Sequence, residues 1–270
     1  MLGSCETINM KHLSNGCSFS TKKVSLSCHQ KLGELLQLEP TINLAKGGRG
    51  NDRIVNTTMN WFYANPERMK DTFVSIGWSS THRWDFVADY VTPKTKEGGI
   101  KGELLKFSYQ WDTWSVWQHE WIMRDKAIDI ELNGVVRLYQ QILTLQNFFK
   151  LHGIKYIMYH ALTNNTPIAE LDGKARPDLK LFYDAIDKKH FYNFDSSEFV
   201  KQNIQMQQDN RSSVSHRVKV DNTEYVQSHF EFCAMKGWTK SPSDGHPSER
   251  GHHEWGKLLY DFVERNSLAK

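Results

Sequence analysis

The chain has 270 residues, of which 39% are hydrophobic and 24% charged, with a formal net charge of +3; this composition excludes a disordered or fibrous protein. Charges of both signs are mixed along it, so no nucleic-acid-binding surface is predicted. No stretch reaches the ~18 apolar residues that span a bilayer. The first residues lack the apolar core of a secretory signal, so we expect a soluble protein, cytoplasmic by default and without a membrane partner.

In chain order, short apolar runs alternate with segments of helical periodicity. Pro40 and Pro66 end two of the helical segments. The elements predicted for the first part of the chain are a weak strand over 8–13 ending at the Asn15-Gly16 turn, a helix within 24–38, a short apolar run at 41–45, a helix over 53–64 capped by Asn51 or Asp52, and a strand over 72–77.

The second part continues the alternation. Four tryptophans at spacings of three, three and four predict one face of a helix over 107–122; they are Trp111, Trp114, Trp117 and Trp121. Further predicted elements are a long helix over 131–151, a strand over 155–160, a polar, loop-rich segment over 184–217 and a closing helix over 249–264. The pattern predicts an α/β fold: one three-layer, flavodoxin-like domain over 1–270 with a mostly parallel sheet and insertions near 88–130 and 184–225.

The four cysteines are irregularly spaced and form no Cys-x-x-Cys pair. Neither a disulfide framework nor a zinc site is therefore predicted, and we expect no metal and no organic cofactor.

Parallel sheets bind ligands beyond the carboxyl ends of their strands, which directs attention to the residues just after each strand. The first such segment is Asn15-Gly16-Cys17-Ser18-Phe19-Ser20. A serine in a tight glycine turn before a helix is a candidate nucleophile, although most serines at helix starts are N-caps. The neighbouring Cys17 is a competing nucleophile.

Two further segments contain groups able to hold an oxyanion. The loop over 43–52 is rich in glycine, which lets backbone N–H groups approach a ligand, but no Gly-Lys-Ser/Thr follows and a P-loop is excluded. The segment over 75–83 places hydroxyl groups directly after a buried strand. Flexible-loop and helix-capping interpretations explain these two segments equally well.

The last segment is Asp244-Gly245-His246-Pro247. An aspartate two residues from a histidine, on a loop braced by proline, can orient the imidazole and stabilise its charged form. A simple turn is the alternative. His252 and His253 follow at the start of the closing helix, where capping or surface roles are expected, and either is an alternative base.

Together and in this order, the four segments resemble those of the SGNH (GDSL-like) hydrolase superfamily. Gly16-Cys17-Ser18-Phe19 is similar to a Gly-Cys-Ser-Phe variant of the nucleophile block in phage and bacterial relatives. The resemblance implies Ser18 as nucleophile, the backbone N–H groups of Ser18 and Gly48 with Ser79 as oxyanion donors, and His246 with Asp244 as base and acid.

Two positions depart from the family pattern. Ser79 stands where an asparagine is expected, and a serine hydroxyl has a shorter reach. The C-terminal block reads Asp-x-His rather than Asp-x-x-His, so Ser243 occupies the usual acid position.

The resemblance implies a serine esterase whose substrate is a small-molecule or carbohydrate ester, with carbohydrate O-acetyl groups as one candidate. Speculative substrate contacts are Trp78, Arg83, Trp111 and Trp114. The departures leave open a second hypothesis, an inactive binding or structural module on the same fold, for example a virion or surface component.

Overall fold

A computed structural model describes residues 10–21, 26–90, 109–115, 130–162, 177–194 and 228–269. Within these ranges, strands and helices alternate along most of the chain. The strands are β1 (Lys11–Gly16), β2 (Ile42–Asn43), β3 (Thr72–Trp78), β4 (Arg83–Tyr90), β5 (Tyr109–Ser115), β6 (Lys155–His160), β7 (Phe191–Tyr192), β8 (Thr239–Ser241) and β9 (Asp244–Pro247). The helices are α1 (Cys28–Leu35), α2 (Asn51–Ala64), α3 (Ile130–His152), α4 (Pro177–Ala185), α5 (His229–Lys236) and α6 (Glu249–Arg265).

Five strands form the central sheet, in the order β2-β1-β3-β6-β7, and all four pairings are parallel. Every residue of β3 is buried, and so are five of the six residues of β6. Strands covered on both faces read as continuous runs without polar alternation, as these two do. The prediction of an α/β fold with a mostly parallel sheet is confirmed.

Helices cover both faces of the sheet, which makes three layers. Along β3, Val74 and Ile76 point into a core formed with α2 and α3, whereas Phe73 points into a second core formed with α1, α5 and α6. This alternation follows from the two-residue period of a strand. The strand order matches the flavodoxin-like arrangement, in which sites form at the carboxyl edge beside the first strand.

The prediction of a helix over 107–122 is wrong for Tyr109–Ser115, which is strand β5 and pairs antiparallel with β4. In the register, Trp111 lies opposite Val87, and Trp114 lies opposite Trp84. Aromatic and β-branched residues favour a paired strand, and here that preference outweighed helical spacing. Trp117 and Trp121 lie outside the described residues.

Several predicted boundaries also shift. β1 continues through Asn15-Gly16, which was predicted to be a turn, and α2 is capped at Gly50 rather than at Asn51 or Asp52. Asp244 to Pro247 form a strand rather than a loop. Much of both predicted insertions lies outside the described residues, so the domain boundaries stay a prediction. No helix within the described ranges is long and apolar enough to cross a membrane.

Candidate active site

Ser18 lies in a tight turn at the carboxyl end of β1. The Ser20 N–H donates to the Cys17 carbonyl at 2.9 Å and closes this turn. Gly16 makes it sterically feasible, because a Cβ there would stand 2.2 Å from Ser20 Oγ. Ser18 is half-buried, whereas its neighbours Cys17 and Phe19 are buried. The helix expected after the turn is α1, which begins at Cys28, and residues 19–21, which are described directly after Ser18, are not helical.

His246 and Asp244 lie two residues apart on β9, at the other end of the chain. Side chains two apart on a strand project from the same face, so the carboxylate and the imidazole are neighbours. Asp244 Oδ1 accepts hydrogen bonds from the His246 backbone N–H at 3.0 Å and from Nδ1 at 2.5 Å. These two hydrogen bonds, the backbone one first, lower the pKa of the Asp244 carboxyl below its ordinary value.

The imidazole of His246 joins the two ends of the chain. Its Nε2 lies 2.9 Å from Ser18 Oγ. Since Nδ1–H donates to Asp244, Nε2 carries the lone pair and accepts a hydrogen bond from the Ser18 hydroxyl. The Phe19 ring stacks on the imidazole, with centroids 4.9 Å apart and planes inclined by 26°. This arrangement can withdraw a proton from Ser18 and hold the resulting positive charge.

The glycine-rich loop after β2 runs beside Ser18. The Lys46 N–H donates to the Gly16 carbonyl at 3.2 Å. A Cβ on Gly47 would lie 3.7 Å from Ser18 Cβ, which is ordinary contact. Gly48 has a φ of +74° with nothing within 4 Å of its Cβ position. The loop therefore approaches the serine through backbone, and only a residue such as glycine adopts the Gly48 conformation without strain.

Ser79, the residue directly after β3, is fully buried. Its hydroxyl donates to the Arg49 carbonyl at 2.9 Å and accepts from Arg83 Nη1 at 3.1 Å. Its N–H donates to Asn51 Oδ1 at 2.7 Å. A hydroxyl has one proton, so in this arrangement Ser79 braces the glycine loop rather than pointing a donor at a substrate.

The other sequence candidates are placed as follows. Trp78 is fully buried in the core, so the expectation that it contacts substrate is corrected: the all-buried β3 directs its ring inward. Arg83 is half-buried, and its Nη1 binds the loop at the Arg49 carbonyl and Ser79.

The two alternative bases lie elsewhere. His252 is buried, while His253 pairs with Glu254 at 3.1 Å. His246, not either of these, contacts Ser18.

A family model described as "Family of unknown function (DUF6071)" matches residues 12–213, well over half of the chain. The chain belongs to family DUF6071. The matched region contains Ser18 and ends before Asp244 and His246. No curated protein matches the chain.

Two solved structures are similar to this DUF6071 member over 94% of its length. One is the lipase Lip_vut3 from a goat rumen metagenome, 12% identical, with a TM-score of 0.46 over 97% of that chain. The other, from Slackia heliotrinireducens, is assigned provisionally to the SGNH hydrolases; it is 15% identical, with a TM-score of 0.34 over 98% of its length. Both TM-scores are below 0.5, so neither likeness indicates a function for this chain.

Asp85 is a residue of this DUF6071 member that the sequence did not point to. It is buried on β4, and its carboxylate accepts from the Gly50 N–H at 2.9 Å and from the Arg53 N–H at 3.0 Å. Gly50 has no side chain that could cap α2. The Asp85 carboxylate on β4 accepts the hydrogen bonds that a capping side chain would otherwise accept. It thereby anchors the end of the glycine loop. A cap donated from 32 residues away leaves no local sequence signal.

Proposed function

We propose that this protein is a serine hydrolase that cleaves ester bonds, with Ser18 as nucleophile, His246 as general base and Asp244 as the group that orients His246. One observation carries the proposal: Ser18 Oγ lies 2.9 Å from His246 Nε2, while His246 Nδ1 is held 2.5 Å from Asp244. Residues 228 positions apart in the chain thus form the hydroxyl–imidazole–carboxylate series of a serine hydrolase.

The reaction follows from these contacts. His246 Nε2 takes the proton of Ser18 as Oγ attacks the ester carbonyl, and Asp244 stabilises the imidazolium. His246 then protonates the leaving alcohol, giving an acyl-serine. Water, deprotonated by the same imidazole, attacks the acyl carbon and releases the acid, which restores Ser18.

The negative oxygen of the tetrahedral intermediate needs donors near Ser18 Oγ. We assign this role to backbone N–H groups, those of Ser18 and Gly48. Two facts support the choice: a Cβ on Gly47 would lie 3.7 Å from Ser18 Cβ, so the loop backbone runs beside the serine, and no atom lies within 4 Å of the Cβ position of Gly48. Ser79 acts indirectly here, because its proton is bonded to the Arg49 carbonyl.

The structure favours Ser18 over Cys17 as nucleophile. Cys17 is fully buried and packs in the core beneath the turn, whereas Ser18 is the residue that contacts the base. The order of the four segments, which resembles that of the SGNH hydrolases, agrees with the same choice.

The substrate is proposed only as an ester, without a more specific acyl group or alcohol. The suggestion of a carbohydrate substrate rested on a helical face of four tryptophans, and β5 removes that face where the structure describes it. Ser18 and His246 are both partly exposed, so an ester can reach them from solvent.

Labelling with a fluorophosphonate probe and hydrolysis of p-nitrophenyl acetate test the proposal. The wild-type protein should be labelled once and should hydrolyse the ester; Ser18→Ala should abolish both, and Cys17→Ala, the matched control, should retain both. A folded wild-type protein that shows neither labelling nor turnover would refute the proposal and favour the non-catalytic binding module. The engagement of Ser79 by the loop, which removes one candidate oxyanion donor, is the observation that supports that second function.

A further inference from the structure

A second group of reactive side chains lies in the core between α1, α5 and α6. Cys28 is the first residue of α1, His229 the first residue of α5, and His252 lies in the first turn of α6. Cys28 and His229 are fully buried and His252 is 7% exposed. One sulfur and two imidazole nitrogens of these residues all lie within 4.8 Å of one another. Three different helices thus bring three metal-binding groups to one point.

The hydrogen bonds around the cluster set the direction of two of these groups. His229 Nε2–H donates to the Gly251 carbonyl at 3.4 Å, so the lone pair of Nδ1 faces Cys28 Sγ, 3.9 Å away. The Tyr159 hydroxyl lies 3.2 Å from Cys28 Sγ. A backbone carbonyl on the distal nitrogen of a histidine and a donor to a thiolate are the outer contacts that accompany metal ligands in proteins.

His252 gives an independent indication. Its Nδ1 is buried and has no hydrogen-bond partner among the described residues. An imidazole nitrogen buried without a partner is costly, because it loses its hydrogen bond to water without replacement. His252 also offers one imidazole nitrogen to the cluster, so an ion bound there would give this buried ring a polar partner.

We propose that Cys28, His229 and His252 bind one soft closed-shell metal ion, Cu⁺ or Zn²⁺. Thiolate and imidazole ligands select ions of this class over the oxygen-preferring Mg²⁺ and Ca²⁺. The 3.9 Å between Cys28 Sγ and His229 Nδ1 fits two ligands of one ion, since a metal–sulfur bond of about 2.3 Å and a metal–nitrogen bond of about 2.0 Å span a comparable distance at a wide angle.

Charge distinguishes the two ions. Binding displaces the thiol proton of Cys28 to solvent, and one thiolate neutralises a monovalent ion in this buried site. A divalent ion bound by one thiolate would leave one net positive charge in the core. It would need a fourth ligand that is itself a thiolate. Cys233 is the candidate for that ligand: it is fully buried, and its Sγ lies 2.6 Å from the position that a Cβ on Gly251, the residue before His252, would take. It is not among the three residues whose ligand atoms lie within 4.8 Å of one another, so its side chain would have to turn toward the ion.

The position of the site predicts what the ion does. α1 follows the turn that contains Ser18, and α6 follows the strand that contains His246. An ion ligated by both helices would fasten together the two chain ends that meet in the proposed active site, and would stabilise the folded state by mass action. Metal binding itself does not depend on whether Ser18 is catalytic.

The test is direct titration of the reduced, chelator-treated full chain under anaerobic conditions, with Zn²⁺ alone and with Cu⁺ held by a competing chromophoric chelator. We expect one equivalent of at least one ion, a higher melting temperature, and a loss of affinity of 100-fold or more in Cys28→Ser and in His252→Gln. Cys17→Ser, a buried cysteine outside the cluster, should bind as the wild type does. Cys233→Ser should abolish uptake of Zn²⁺ and leave that of Cu⁺ unchanged.

Titration with Co²⁺ provides a readout that needs no variant. A thiolate-to-cobalt charge-transfer absorption in the wild-type protein would show a cysteine ligand even if the substituted proteins failed to fold. Absence of stoichiometric uptake of both Cu⁺ and Zn²⁺, or uptake that Cys28→Ser leaves unaltered in a folded protein, would overturn the proposal. Fluorophosphonate labelling of Ser18 in the metal-free protein reports separately on the proposed esterase.

Discussion

Asp244 and His246 form a hydrogen-bonded pair within a single strand, with the carboxylate 2.5 Å from the imidazole Nδ1. In the SGNH pattern two residues stand between the acid and the histidine, whereas in this chain only Gly245 stands between them. The shorter spacing gives the same pairing because β9 is extended, and alternate residues of a strand share a face. The Asp244 N–H donates to Ser241 Oγ at 3.0 Å, which ties the pair to the neighbouring strand of the hairpin.

Asp244→Asn should lower kcat for p-nitrophenyl acetate by roughly 10²- to 10⁴-fold, because an amide can present its N–H to Nδ1 and stabilise the wrong tautomer of His246. Steady-state kinetics measure the change. Ser243→Ala is the matched control: Ser243 occupies the acid position of the family pattern, but its hydroxyl contacts only Ser241 among the described residues at 3.2 Å. Equal losses in the two variants would contradict the assignment of Asp244.

Ser79→Ala should reduce stability while leaving kcat within a few-fold of the wild-type value. The hydroxyl of Ser79 braces the glycine loop at Arg49, so its removal costs a hydrogen bond worth about 1 kcal/mol. A direct oxyanion donor behaves differently, since its loss lowers kcat by ~10²–10³-fold. Urea unfolding and kinetics on the same preparation separate the two roles, and a 10²-fold fall in kcat would restore Ser79 to the oxyanion hole.

Asp85→Ala should destabilise the protein by about 1–2 kcal/mol, because the Gly50 and Arg53 N–H groups at the start of α2 lose the carboxylate that accepts from them. Chemical denaturation measures the difference in the free energy of unfolding. Asp184→Ala serves for comparison: it removes an exposed i,i+4 pair with Lys180 and should cost no more than about 0.5 kcal/mol. If both substitutions cost the same, the cap at α2 does not stabilise the fold.

The folded protein should lose stability as the pH falls below about 6.5. Burial lowers the pKa of His12 and of His160 from 6.5 to about 3. Between these values the unfolded chain binds protons that the folded protein excludes. Each histidine therefore lowers the free energy of unfolding by up to ~1.4 kcal/mol for each unit that the pH falls. Urea unfolding between pH 7.5 and 5 should show this slope.

His160→Phe should make that slope shallower, because His160 already packs among aromatic rings, with Phe191 at 4.7 Å between centroids. The comparison variant is His253→Gln, at a histidine that is only partly buried, and it should leave the slope as in the wild type. A free energy of unfolding that is independent of pH between 7.5 and 5 would contradict the buried, neutral state of these histidines.

Much of the architecture could be predicted because the local pattern of hydrophobic residues specifies it. The strand Lys155–His160 and the helices α3 and α6 agree with their predictions to within one residue, since hydrophobic periodicity specifies each of them over a long or uninterrupted stretch. Ser18 and His246 were also named from the sequence, through the resemblance of their segments to the SGNH blocks. Their roles stay predictions until they are tested.

What only the tertiary structure decided is which residues meet. The spacing of Trp111 and Trp114 favours a helix, yet pairing with β4 makes a strand, because cross-strand partners distant in the chain outweigh local periodicity. Three other contacts arise in the same way. Asp85 on β4 caps the start of α2, the Ser79 hydroxyl donates to the Arg49 carbonyl, and Cys28 lies near His229 and His252. Each depends on the direction of side chains from separate elements, which the packing of helices on the sheet determines and sequence spacing does not encode.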